Sequence, residues 1–255
     1  MSEWSNEIGC KPIAFGLRGF ESLSTHKIMF NNFQYAYLIG NLFFLVSWLI
    51  LFLFRHDLRK EMLTMSLVVA PMGPLSEIFY LRDYWRPEFF SGLPIGIEDL
   101  IFGFLIGGIA AVIYEELFGK KYTKRHLTTH SKWMFAVAIF GLVWMFIGNI
   151  LLGFNSIYVS VLGFLLIGIS ILLVRHDLLK DALFSGLLVG SLMFLFYLIF
   201  GIIFDGVIQK WWLLKNISGI IIFGAPLEEL MWGFGWGFVA GPAYEFINGL
   251  RYKKS

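Results

Sequence analysis

The chain has 255 residues, 58% of them hydrophobic and only 15% charged, with a mean hydropathy of +0.73. Ordinary soluble domains carry roughly 25% charged residues, so the composition excludes a water-soluble globular protein and predicts an all-α integral membrane protein, since helices satisfy their own backbone groups in lipid. The net charge of +2 is too small to imply a nucleic-acid partner, and Cys10, the single cysteine, excludes an intrachain disulfide.

Residues 1–34 lack a compact apolar core, so no cleavable signal peptide is expected there, and they read as an interfacial or flexible segment. A membrane span needs ~20 mostly apolar residues. About seven stretches qualify, near 35–54, 61–81, 96–116, 133–153, 157–174, 182–204 and 217–246. The second holds Pro71, Pro74 and Glu77 and is expected to be broken. Between the third and fourth lies a basic loop with Lys120, Lys121, Lys124, Arg125, His126 and His130, read as a topology determinant. With seven spans, Lys and Arg number 13 on one side and 7 on the other. The positive-inside rule then places the C-terminus, including the basic tail 247–255, in the cytoplasm, for a multi-pass protein of the cell membrane.

Two stretches recur. Arg55-His56-Asp57-Leu58-Arg59-Lys60 returns as Arg175-His176-Asp177-Leu178-Leu179-Lys180, and residues 97–115 match 227–245 with eight of 19 positions identical. The predicted organisation is a three-helix repeat at 35–116, the basic loop and a linking helix at 117–156, and a second three-helix repeat at 157–246. Three helices plus one restore the starting side, so the repeats are expected to be parallel, related by an axis along the membrane normal. The Arg-His-Asp turns read as charged flanks with Asp as a helix N-cap. They offer too few ligands for a metal, and none is expected. Tyr114-Glu115 and Tyr244-Glu245, repeated near the other helix ends, could position one end of a substrate or tie helices together.

Each third helix opens with adjacent acids, Glu98-Asp99 and Glu228-Glu229, and no Lys or Arg lies in the same apolar stretches. Ionisable groups at membrane depth are costly and are functional candidates by default. Spacing of i, i+4, i+8 puts Asp99 above Gly103 and Gly107, and Glu229 above Gly233 and Gly237, on a small-residue packing stripe. The same spacing puts Glu228 with Trp232 and Trp236, and Glu98 with Phe102 and Ile106. An acid kept out of water favours its protonated form. Beside aromatic faces, which attract cations, such an acid suits proton-initiated cyclisation of a polyene.

These residues resemble the lycopene cyclase domain family, in which a three-helix unit is used twice and a Pro-x-Glu-Glu/Asp motif enters a helix followed by aromatics. Pro226-Leu227-Glu228-Glu229 fits that motif, and Pro94-Ile95-Gly96-Ile97-Glu98-Asp99 fits with its proline two positions early. The resemblance implies conversion of the linear ends of lycopene to ionone rings without net redox change. It implies Glu228 and Glu98 as proton donors, with Glu229 and Asp99 in support. Trp232, Trp236 and Phe102 are the expected cation-stabilising contacts to a carotenoid or other linear isoprenoid. No Gly-x-Gly-x-x-Gly fingerprint follows a strand, so no flavin or other cofactor is expected.

Other membrane chemistries fit less well. A retinal protein needs a lysine mid-way along its last helix, and Lys215 only precedes it. A Glu-Glu-x-x-x-Arg protease would need an arginine where Gly233 stands, and no Asp-rich prenyltransferase motif is present. The main alternative is a non-enzymatic protein, such as a proton-coupled transporter or an isoprenoid-binding factor. It predicts a polar, watery path through the bundle, whereas a cyclase predicts an aromatic groove beside the acids.

Overall fold

The computed structural model describes residues 33–119, 122–123 and 128–252. The expectations for residues 1–32, including Cys10, and for Lys120, Lys121, Lys124, Arg125 and His126 lie outside the described residues. The described chain is all-α, apart from two ladders of two-residue strands. One pairs β1 (Tyr122–Thr123) with β4 (Arg251–Tyr252), and the other pairs β2 (Ile221–Ile222) with β3 (Ala225–Pro226).

The first helix, α1, spans Ala36–Phe54. The expected second span is two helices, α2 (Arg59–Val69) and α3 (Met72–Asp83), bent by 43°. Pro71 has no N–H to continue the ladder, so the break falls there. Pro74 then sits in the first turn of α3, where backbone N–H groups lack helical partners anyway. Helix α4 covers Ile97–Leu117. Helix α5 (Ser131–Met145) widens into a π-helical turn over Phe146–Leu151. Helix α6 (Ser156–Val174) starts on Asn155, whose side chain accepts from the Ile157 N–H at 3.1 Å. Helix α7 spans Leu179–Ile203, α8 is the short Val207–Trp211, and α9 runs Leu227–Asn248, ending on Gly249 at a left-handed φ of 62°.

Five of these are long and apolar enough to cross a membrane: α1, α4, α5 with its π turn, α6 and α7. The bent pair α2–α3 makes six if it counts as one span. The expected seventh, 217–246, divides. Residues 217–226 form turns and the β2–β3 hairpin, and the helix starts only at Leu227. Helix α9 is long enough, but its glycines and acids leave it less apolar than the others.

Helix α2 packs on α4 and α7 on α9, and the glycine stripes make both contacts close. A Cβ at Gly107 would lie 2.6 Å from the Val69 side chain, and one at Gly233 would lie 2.7 Å from Met193. At Gly237 it would collide with the Ser185 carbonyl, a backbone atom that cannot swing aside. Gly237→Leu is therefore expected to cost about 1–3 kcal/mol through overpacking, measured as a lower Tm of the detergent-purified protein.

The Arg-His-Asp turns serve as clamps. Arg55 grips Asp57 at 3.0 Å and donates to the Glu115 carbonyl at 2.8 Å, at the end of α4. Arg175 grips Asp177 at 2.8 Å and donates to the Leu250 carbonyl at 2.7 Å, just beyond α9. The expected N-cap role of Asp57 and Asp177 is not what they perform. The helices start after Leu58 and Leu178 without a side-chain cap, because each aspartate is turned back onto its arginine.

At the opposite end, the segments after α3 and after α8 pair with each other. The Arg86 N–H donates to the Trp211 carbonyl at 2.7 Å, and the Leu213 N–H donates to the Tyr84 carbonyl at 2.8 Å. This pairing closes the bundle over the N-terminal turns of α4 and α9 and brings Tyr84, Trp85 and Trp212 into its interior.

Candidate active site

All four paired acids are buried, the most exposed being Glu229 at 8%. The structure divides each pair, and does so the same way twice. The first acid holds a loop. Glu98 Oε1 accepts from the Phe90 N–H at 2.6 Å. Glu228 Oε1 accepts from the Ser218 N–H at 2.9 Å and from the Tyr158 hydroxyl at 2.7 Å. Each draws the segment before its own helix onto the helix start, and neither lines the central cavity.

The second acid faces that cavity. Asp99 Oδ2 accepts from the Gly96 N–H at 3.1 Å, which also completes one half of a capping box at the start of α4. Asp99 Oδ1 is buried, and the Tyr37 hydroxyl is the side-chain group that approaches the Asp99 carboxyl. Glu229 Oε1 accepts from the Tyr84 hydroxyl at 2.6 Å and from the Trp212 indole N–H at 2.9 Å.

The expected helical faces are therefore reversed. Trp232 and Trp236 line the cavity together with Glu229 rather than Glu228, and Phe102 does so with Asp99 rather than Glu98. Helix geometry explains the difference. At 3.6 residues per turn, eight residues overshoot two turns by ~80°, whereas seven fall short by only ~20°. Trp236 is thus nearly in line with Glu229, seven positions before it.

The cavity has a volume of about 350 Å³ and is bounded by residues of α1–α9. Its walls are largely aromatic. The Phe102 and Trp232 rings lie 5.8 Å apart, and Phe164 sits edge-on to Trp236 at 5.5 Å. Both indole N–H groups are tied down, Trp232 to the Tyr80 hydroxyl at 3.1 Å and Trp236 to the Ile106 carbonyl at 3.4 Å. Their ring faces remain for apolar or cationic groups. Contacts 102 to 232 and 106 to 236 show α4 and α9 running side by side in the same direction. Lining residues extend along α9 from Glu229 to Ile247, eighteen positions further on, or ~27 Å at the helical rise.

Some site residues were not legible as such. Glu77 carries little weight in sequence, since it has no acidic counterpart in the second repeat. In the structure it is 3% exposed and lines the same cavity as Asp99 and Glu229. Tyr84 and Trp212, the donors to Glu229, belong to no repeated motif, and only the long-range pairing of the segments that hold them brings them inward. Glu115 and Glu245, with Asp181, form a separate buried group whose carboxyl oxygens lie within 4.8 Å of one another, outside the cavity lining.

Residues 155–247 match the lycopene cyclase family model. The lycopene cyclase domain so defined covers α6 to α9 and includes Glu228, Glu229, Trp232 and Trp236. A lycopene cyclase domain in a helical membrane protein points to a carotenoid cyclase, an enzyme acting on a carotenoid. No curated protein and no solved structure matches the chain.

Proposed function

We propose that the protein cyclises the linear ends of lycopene or a closely related carotenoid by proton-initiated ring closure. The observation that carries this reading is the opening of Asp99 and Glu229 into one cavity walled by Phe102, Trp232 and Trp236. The chemistry needs a proton delivered to the terminal double bond of the polyene. The resulting tertiary cation is attacked by a neighbouring double bond, which closes a six-membered ring. Loss of a ring proton then restores neutrality, so no electrons enter or leave and no redox cofactor is required.

Asp99 and Glu229 are the acids presented to the substrate. Asp99 can carry the proton on its carboxyl group beside the Tyr37 hydroxyl, which lines the same cavity. Glu229 Oε1 already accepts two hydrogen bonds, which hold its carboxyl in one orientation toward the cavity. Glu98 and Glu228 support them by fixing the loops that precede α4 and α9. The indole faces stabilise the cation, by up to about 2 kcal/mol each when water is excluded. The repeats at 35–116 and 157–246 supply equivalent acids to a shared chamber, which supports a parallel arrangement about the membrane normal.

A proton-coupled transporter would need a polar path. Here the polar groups are a few acids and hydroxyls gathered at one end of an otherwise apolar chamber, which favours the cyclase reading. Expression in a lycopene-accumulating bacterium, with pigments separated by chromatography, tests it. Ring-bearing carotenoids are expected. Unchanged lycopene in cells whose membranes contain the protein would reject the proposal.

A further inference from the structure

Ring closure by this route moves protons twice, at different carbons. One is added to the terminal double bond, and another is removed from a carbon next to the ring cation. Asp99 and Glu229 occupy equivalent places in the two repeats, in the first turns of α4 and α9. The cavity holds a third carboxyl group outside this equivalence. Glu77 comes from α3, on another wall, and Tyr197 stands at the matching position of the second repeat. Glu77 is buried, and both of its oxygens face one donor, the Trp85 indole N–H, at 3.2 and 3.1 Å. One turn before it on α3, Gly73 packs so closely on the start of α4 that a Cβ there would collide with the Asp99 carbonyl.

We infer that Glu77 is the base that removes the ring proton, a role that rests on the cyclase reading. The donor's O–H bond breaks as a C–H bond forms on the polyene, and the new C–C bond moves the cation onto the methyl-bearing ring carbon. A C–H bond beside that carbon then breaks. Its electron pair becomes the ring double bond, and the proton goes to a Glu77 oxygen. Passing one proton back from Glu77 to the donor across the shared cavity restores the starting state, with no net gain or loss.

Three kinds of C–H bond flank the cation: on the ring carbon bearing the polyene, on the ring CH2 and on the methyl group. Each gives a different ring isomer. A base fixed on α3, which packs against the start of α4 that carries Asp99, selects among them by position. The Trp85 indole is the group that holds Glu77 in that position.

The test compares wild type, Glu77→Gln and Glu77→Asp in lycopene-accumulating cells, normalised to the protein in the membrane. Both the amount of cyclised product and the ratio of ring isomers are measured. Removing a general base typically costs about 100-fold or more, so Glu77→Gln is expected to lose nearly all ring formation. Glu77→Asp, with the carboxyl drawn back by one methylene, is expected to keep measurable activity and to change the isomer ratio. A purely structural role would lower protein level without moving that ratio.

Glu77→Gln that cyclises at the wild-type rate with the wild-type isomers overturns the role of Glu77 alone. A wild-type chain that forms no ring removes the cyclase reading and this role with it. Should Glu77→Gln fail to accumulate in membranes, Glu77→Asp decides: an unchanged isomer ratio rejects the inference.

Discussion

Asp99→Asn and Glu229→Gln are each expected to leave lycopene almost uncyclised, with product reduced by about 100-fold or more, the usual contribution of a positioned proton-transfer group. Both changes keep shape and remove the ability to exchange a proton as a carboxyl group. Asn at position 99 retains an oxygen for the Gly96 N–H, and Gln at 229 retains one for Tyr84 and Trp212. The helix starts should therefore survive, and membrane levels near wild type would separate lost chemistry from lost folding. The same assay decides between the two acids of a pair. Glu228 is committed to Ser218 and Tyr158 and does not line the cavity, so Glu228→Gln is expected to lose far less. If Glu228→Gln instead abolishes turnover while Glu229→Gln is active, the assignment of the cavity-facing acids is wrong.

Replacing Trp232 probes the other half of the proposed chemistry. Its ring lies between Phe102 and Phe164, at 5.8 and 6.0 Å, and stacks at 6.2 Å on Trp236. Trp232→Leu keeps an apolar wall but removes the π face. At about 1–2 kcal/mol for a desolvated cation–π contact, turnover should fall roughly 5- to 30-fold. Trp232→Phe keeps a face and loses only the N–H bond to Tyr80, so it should recover most of the rate. Equal losses for Leu and Phe would mean that the indole acts through Tyr80 and its geometry, not through its ring. Initial rates in isolated membranes supplied with lycopene give the comparison.

Much of the frame is legible in the amino-acid sequence. The five apolar helices were marked by length and composition alone, since only a self-satisfied backbone is stable in lipid. Pro71 foretold the break between α2 and α3. The duplicated acids pointed to the N-terminal turns of α4 and α9, and Trp232, Trp236 and Phe102 do meet in one chamber. Which acid of each pair faces that chamber was lost to a small angular error, the difference between stepping seven and eight residues along a helix. The partners of Glu229 were illegible for a different reason. Tyr84 and Trp212 are separated by 128 residues and meet only because two loops pair across the end of the bundle. Glu77 escaped because the repeat, so informative elsewhere, directs attention to what is duplicated.

The chamber is one-ended. Asp99 and Glu229 lie in the first turns of helices that begin at the same end, while the lining continues along α9 to Ile247. A polyene lying lengthwise has one terminus beside the acids and the other remote from them. Under the proposed cyclisation, the second ring of a molecule with two identical ends would wait on a reversal: release, a half-turn in the bilayer, and re-entry tail-first. The ratio of singly to doubly closed product would then be a clock for that turnaround, set by how readily the protein lets its substrate go.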